Sequence, residues 1–222
     1  KERQTIKFEA PEFFQVAYMG DPSAKGIGII KKGATYKNVP DPDFVKEQDL
    51  LVAAGWDTAY KDKEKNDFTV GYVGGLDKWH RIWILDRRKG RFTTPEVIEE
   101  LKGVQELWDP YTQWVEDTGG GTPAVQTVMA ELENLLPLET VPPSQGGKRS
   151  RAHALSPYMH SARILLPKYV EWFEDSHYYL TKYPFTSFDD DIDALWLLVS
   201  KLIVIQHPSE FDNRDKYQLE MG

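Results

Sequence analysis

From Leu50 onward the chain alternates dense apolar runs with polar turns. Leu50–Trp56, Phe68–Val73 and Arg81–Leu85 (RIWIL) are short apolar runs, and Lys61–Asn66 and Gly74–Lys78 separate them. That pattern predicts three consecutive antiparallel strands. The period then changes. Thr94-Pro95-Glu96 is a cap followed by proline at the first helical position, and Val97, Ile98, Leu101, Val104 and Leu107 recur at helical spacing up to Trp108. Gln113–Val115 predicts a fourth strand that ends in Glu116. Pro123–Leu136 predicts a second helix with Val125, Val128, Met129, Leu132, Leu135 and Leu136 on one face, and Glu139–Val141 a strand before Pro142-Pro143. Beyond a polar loop the chain predicts a helix near Ala152–Ser161, an apolar strand Ile164–Leu166, a Trp- and Tyr-rich helix from about Lys168, and a last helix from about Asp189 to Ile205. Residues 1–48 show no long periodicity and are expected to form an extension packed on the main domain.

Three antiparallel strands followed by αβαβα is the element order of a ribonuclease-H-like α/β domain, a mixed sheet covered on both faces. The composition agrees with one substantial core: 222 residues, 41% hydrophobic and 13% aromatic. A formal net charge of −8 argues against coating nucleic acid by bulk electrostatics. Local basic clusters remain available for that work: Arg87-Arg88-Lys89 with Arg91, Lys148-Arg149 with Arg151, and Lys61, Lys63 and Lys65. The absence of cysteine excludes disulfides, thiolate metal sites and cysteine nucleophiles. No apolar stretch is long enough to span a bilayer, and no membrane partner is expected. The chain begins at Lys1 and is expected to be a piece of something longer.

The chemistry is carried by acids. Asp57 and Glu116 each end an apolar strand run, where an ionised carboxylate is costly unless something neutralises it. If those strands are neighbours, the two carboxylates project from one edge of the sheet. The last helix opens with Asp189, Asp190, Asp191 and Asp193, acids that its positive dipole end tolerates, and it can bring a third carboxylate to the same point. Hard oxygen ligands without nearby His or Cys of metal spacing suit Mg²⁺ or Mn²⁺ rather than Zn²⁺. Two such ions, roughly 3.5–4 Å apart, support in-line phosphodiester hydrolysis. Taken singly, Asp57 also reads as a turn residue and Asp189 as an ordinary helix cap. Asp67 opens the second strand and is read either as a support beside the metals or as a turn residue, and Asp86 is read as structural. The helical wheel leaves open which acid of the last cluster faces the site, since Asp189 and Asp193 lie at one border of the apolar stripe and Asp191 near the other.

The segments GWDTAYKDKEKNDFTVGYV, WILDRRKGRFTTPEVIEEL, WVEDTGGG, QGGKRSRA followed by RILLP, and YPFTSFDDDIDAL come in an order that resembles the C-terminal nuclease domain of the large terminase subunit of tailed bacteriophages. The resemblance covers about residues 49–205. It implies a metal-dependent endonuclease that cuts double-stranded concatemeric viral DNA at the start and end of packaging, in the cytoplasm of the infected bacterial host. The portal protein, the small terminase subunit and an ATPase domain of the same chain are the partners it implies. PEFFQVAYMGDP is similar to the stretch that joins ATPase and nuclease, so residues 1–48 are expected to be the linker and 49–222 the nuclease domain. The family's metal ligands carry over to Asp57, Glu116 and one acid of the last cluster. Asp190 fits best, because the family's third ligand lies three residues before the Asp that precedes Ala, here Asp193, with Asp189 and Asp193 as alternatives. Lys148 and Arg151 match the family's Lys-x-x-Arg segment, which implies that they hold the scissile phosphate or the DNA backbone. Arg87 and Arg88 offer a second DNA track. Gly147-Lys148-Arg149-Ser150 lacks what a phosphate-binding loop needs, so ATP hydrolysis is not expected.

Other readings stay open on the sequence. Gly119-Gly120-Gly121-Thr122-Pro123-Ala124 follows a strand and opens a helix, as in a dinucleotide-binding domain. Glu116 and Asp117 would set negative charge beside a pyrophosphate, and Glu139 begins its strand instead of ending one. A non-catalytic docking module on the same scaffold is a second alternative, which loss of metal-dependent cutting in a folded Asp57→Ala variant would exclude. A junction resolvase or recombinase of the same fold is a third.

Overall fold

The computed structural model describes residues 28–31, 33–58, 68–116, 130, 132–142, 147–186, 189–205 and 207. Among the described residues, seven strands form one mixed sheet. In chain order the elements are β1 (Ala34–Tyr36), α1 (Pro42–Glu47), β2 (Leu51–Asp57), β3 (Thr69–Leu76), β4 (Ile82–Gly90), α2 (Thr94–Trp108), β5 (Gln113–Glu116), β6 (Leu138–Val141), α3 (Lys148–His160), β7 (Ile164–Pro167), α4 (Phe173–Lys182) and α5 (Asp190–Leu202). The strand order across the sheet is β1-β7-β4-β3-β2-β5-β6. β2, β3 and β4 are antiparallel neighbours, while β5 lies parallel to β2 and β6 parallel to β5. The fold is the ribonuclease-H-like α/β architecture that the element order predicts.

Two cores sandwich the sheet. On one face α3, α4 and α5 bury Leu155, Met159, Leu180, Leu195 and Leu198 against Ala53, Tyr72, Ile84 and Trp114. On the other, α1 and α2 bury Phe44, Val97, Leu101 and Val104 against Val52, Ala54, Trp56 and Val115. The alternation within β2 sorts Ala54 and Trp56 to the α2 face and Ala53, Gly55 and Asp57 to the α5 face. Gly55 lets the helix approach: a Cβ there would stand 2.7 Å from the backbone nitrogen of Leu198. α5 therefore lies directly on β2, two residues before Asp57.

Several boundaries differ from the sequence reading, each for a local reason. Gly74 and Gly75, read as a turn, lie inside β3, where the register shifts between Val73 and Gly74 and side chains of Leu198 and Leu50 crowd the two glycines. β4 runs on through the charged residues Asp86–Lys89 because acids on both faces pair with its cations, Asp175 and Asp191 with Arg87 and Lys89, and Asp86 and Glu100 with Arg88. The stretch before residue 49 contributes β1 and α1, elements too short to leave a periodic trace, and β1 pairs with β7 at the edge of the sheet. α3 begins at Lys148, four residues before the predicted start, and α4 at Phe173 instead of Lys168. The helix predicted over Pro123–Leu136 falls largely outside the described residues, and Ala130 and Leu132-Glu133 at its end are helical. Among the described residues no helix is long and apolar enough to cross a membrane.

Candidate active site

β2 and β5 run side by side in the same direction, with Gly55 opposite Trp114 and Trp56 opposite Val115. The next residue on each strand is an acid, Asp57 on one and Glu116 on the other. Both side chains emerge on the α5 face at the carboxyl end of parallel strands, the edge at which open α/β sheets bind ligands. The register is locked just before them. Trp56 Nε1 donates to Gln113 Oε1 at 3.1 Å, and Gln113 Nε2 donates to the Leu101 carbonyl of α2 at 3.0 Å.

α5 presents its first turn to this edge. Asp189 occupies the cap position, but its side chain makes no cap hydrogen bond. Its carboxylate instead accepts from Lys148 Nζ at 2.6 Å. Lys148 also stands 3.0 Å from Asp193 Oδ2 and 3.7 Å from Asp190 Oδ1. One helical turn on, Arg151 donates to Asp193 Oδ1 at 2.6 Å and lies 3.6 Å from Glu116 Oε1. The spacing of three places both cations on one face of α3, and that face looks into the acids.

The electrostatics follow. Asp57 is pushed up to about 8 from an ordinary value of 3.8, first by burial and then by Asp193, Asp190 and Glu116, with Lys148 opposing. Burial, with Asp189, Asp191 and Asp193 nearby, also raises Asp190, against the pull of Lys148. Burial pulls Lys148 down, but Asp189 and Asp193 outweigh it and hold the ammonium above its ordinary value. Burial, then Asp189 and Asp193, raise the Tyr183 phenol. Negative charge is thus in excess at this edge even with two cations inserted.

The structure brings Asp57, Glu116, Asp189, Asp190 and Asp193 together with Lys148 and Arg151. Asp67 lies outside the described residues, as do Lys61, Lys63, Lys65, Asp117 and the glycines 119–121. Two placements correct the sequence reading. Arg87, expected on a DNA track, is 3% exposed and donates to buried Asp191 through Nε at 2.7 Å and Nη2 at 3.0 Å. Alternation along β4 turns Arg88 to the opposite face, where it pairs with Asp86 at 2.8 Å and Glu100 of α2 at 3.4 Å. Neither side chain faces the acid edge. Glu139 stands second in β6 and accepts from Trp114 Nε1 at 2.9 Å, a packing role that offers nothing to a ribose.

The donor set fits a hard divalent cation: carboxylates from two strand ends and a helix start, where burial and then the neighbouring acids raise Asp57. As the side chains stand, no three His, Cys, Asp or Glu among the described residues are spaced to grip an ion. Lys148 and Arg151 lie between the acids and explain that spacing. Neither this insertion nor the influence of Asp193 on Asp57 leaves a direct signal in the sequence. The Lys-x-x-Arg spacing of Lys148 and Arg151 is the trace that the insertion leaves.

A sequence-family model described as the terminase RNaseH-like domain matches residues 54–202. Comparison with curated proteins gives no match. Among solved structures, the large terminase nuclease from thermophilic phage G20c with bound magnesium is similar at 16% identity and a TM-score of 0.55, over 80% of this chain and 95% of that one. The same nuclease with bound zinc is 18% identical with a TM-score of 0.52, over 80% and 96%. A large terminase from a second thermophilic bacteriophage is 12% identical with a TM-score of 0.54, and there 89% of this chain covers 51% of the other. At such identities the likeness establishes the fold, and the chemistry has to be argued from the site.

Proposed function

Because this chain belongs to the family of terminase RNaseH-like domains, we propose that it is a metal-dependent endonuclease that cuts double-stranded concatemeric viral DNA during genome packaging. The observation that carries the reading is the convergence of Asp57, Glu116 and the first turn of α5, with Asp57 raised to about 8 first by burial and then by Asp193, Asp190 and Glu116. A protein has little reason to gather uncompensated carboxylates except to bind a cation or to do chemistry.

Asp57, Glu116 and Asp190 would hold Mg²⁺ or Mn²⁺, with Asp189 and Asp193 as the other available donors. Bound there, one or two such ions supply the Lewis acidity that polarises a phosphodiester and acidifies water. The protein's own part is positional. The Trp56–Gln113 lock fixes the two strand ends, and the close seating of α5 on Gly55 fixes the third acid relative to them. Lys148 and Arg151, which pair with the acids of the site, would take the non-bridging oxygens of a phosphate, Arg151 through its planar fork. Hydrolysis breaks one P–O bond and adds the elements of water across it, so orientation and charge neutralisation are what the site must provide. The sequence carries no motif resembling a groove reader, and cutting without sequence preference is expected.

The G20c nuclease is a large-terminase nuclease, and the family resemblance extends the proposal to the rest of the machine. The nuclease would work in the cytoplasm of the infected bacterium beside an ATPase domain of the same chain, the portal protein and the small terminase subunit. A plasmid nicking assay tests the reading. Wild-type protein is expected to nick and linearise supercoiled DNA in Mg²⁺ or Mn²⁺ and to be inert in Ca²⁺ or chelator. Equal nicking by wild type and Asp57→Asn would reject it.

A further inference from the structure

Asp191 is wholly buried at the second position of α5, between the acids of the candidate site, yet it serves none of them. Its Oδ1 accepts from the Tyr72 hydroxyl at 2.7 Å and from Arg87 Nε at 2.7 Å, and its Oδ2 from Arg87 Nη2 and Lys89 Nζ, each at 3.0 Å. Tyr72 and Arg87 are register partners on β3 and β4, and Lys89 lies two residues along β4 on the same face. The Arg87 guanidinium also reaches Asp175 of α4 at 2.8 Å, and the Tyr72 hydroxyl bonds Ser176 of α4 at 2.6 Å. Two strands, β3 and β4, therefore grip this carboxylate of α5 directly, and α4 joins them through Arg87 and Tyr72.

The helical wheel gives this grip its meaning. At about 100° per residue, Asp190 and Asp193 lie about 60° apart on one flank of α5, and Asp191 lies about 160° from Asp193 on the other. Seizing Asp191 from the β3–β4 side fixes the rotation of the turn. That rotation turns Asp190 and Asp193 towards Asp57. A buried ion pair is a poor route to stability, since apolar residues of similar volume often do as well or better, whereas fixing a register is its best-attested use.

We propose that Asp191, with Arg87 and Lys89, is a positioning clamp that sets the rotation of α5 and so the ability of the acid site to bind a divalent cation. The proposal rests on the metal-dependent reading of that site. A double variant, Arg87→Met with Asp191→Leu, removes the central pair without leaving either charge buried alone, and Arg87→Lys keeps the charge but loses the two-pronged grip. Mn²⁺ alone is the probe, its binding followed by electron paramagnetic resonance, with melting temperature and steady-state nicking measured on the same samples.

Wild type is expected to bind Mn²⁺. The double variant is expected to melt within a few degrees of it yet bind Mn²⁺ about tenfold or more weakly, the loss usual when groups that orient metal ligands are removed. Its kcat should fall at saturating DNA with KM little changed. Arg87→Lys is expected to show the same loss in smaller degree, and it decides the matter if the double variant does not fold. Wild-type Mn²⁺ affinity in a folded double variant, or in Arg87→Lys where that variant alone folds, would overturn the clamp and leave the nuclease reading intact. Absence of Mn²⁺ binding by wild type would overturn both.

Discussion

Arg151 and Asp193 meet at 2.6 Å between the first turns of α3 and α5, and the same guanidinium lies 3.6 Å from Glu116 at the end of β5. One side chain thus joins a strand end to a helix start some 77 residues apart in the chain (116 to 193). Beside it, Asp57 carries the consequence of gathering so many acids: a carboxylate held near 8 by burial and by Asp193, Asp190 and Glu116.

Substitution of Asp57 should therefore separate stability from activity. Asp57→Asn removes a carboxylate whose ionisation the fold opposes, so the metal-free variant is expected to gain about 2 kcal/mol at pH 8. For a domain of this size that raises Tm by about 5 °C. Nicking is expected to fall below detection in the same sample. Calorimetry paired with the plasmid assay checks both, and an Asn variant that melts below wild type at pH 8 would contradict the assignment of strain to this group.

The same shift fixes a pH dependence. Asp57 binds its proton more tightly folded than unfolded, so the native state holds more protons between about pH 4 and pH 8. This contribution to stability is fully present below pH 4 and is lost as pH rises through about 8. Asp190, also raised, adds in the same direction. In metal-free buffer the Asp57 contribution should make wild-type Tm fall relative to Asp57→Asn as pH rises from 5 to 8. Because a ligand carboxylate must be ionised, Mn²⁺ affinity should rise over the same interval. Parallel melting curves across that range would refute the shift.

Lys148 stabilises the acids in the absence of metal. Its ammonium lies 2.6 to 3.7 Å from Asp189, Asp193 and Asp190, so Lys148→Met leaves those charges less compensated. The metal-free variant is expected to lose about 1–3 kcal/mol, a range that allows for solvent screening at this half-buried position. Mg²⁺ should recover more Tm in the variant than in wild type. Thermal melts with and without Mg²⁺ measure the difference, and an equal metal response in the two proteins would show that Lys148 does not share the site.

Arg88 gives the opposite expectation. It belongs to the α2 face, paired with Asp86 and Glu100. Arg88→Met should change stability by no more than about 1 kcal/mol and leave nicking and DNA affinity at wild-type levels. A gel-shift titration checks it, and a clear loss of DNA binding would return Arg88 to the DNA track.

The strand runs, the capped helix α2 and the acids at strand ends were legible because each leaves a local signal: an apolar period, a Thr-Pro-Glu start, a carboxylate where hydrophobic residues stop. The seating of α5 was not, since it depends on Gly55 meeting the Leu198 backbone across more than a hundred residues. Arg87 shows the limit most clearly. In sequence it sits in a basic run and reads as surface, but the strand period sends Arg87 and Lys89 inward and Arg88 to the other face, and only the packed helices supply the partners Asp191 and Asp175. Within the Asp189–Asp193 cluster the division of labour was likewise invisible, because the rotation of the first turn is set by contacts with β3 and β4 rather than by the helix itself.

Crystals soaked in Mn²⁺ and recorded at the manganese absorption edge test the central claim most directly. The expected result is anomalous density among Asp57, Glu116 and the first turn of α5 in the wild type, and its disappearance in Asp57→Asn. Manganese bound only at other carboxylates, with no density at Asp57 and Glu116, would contradict it.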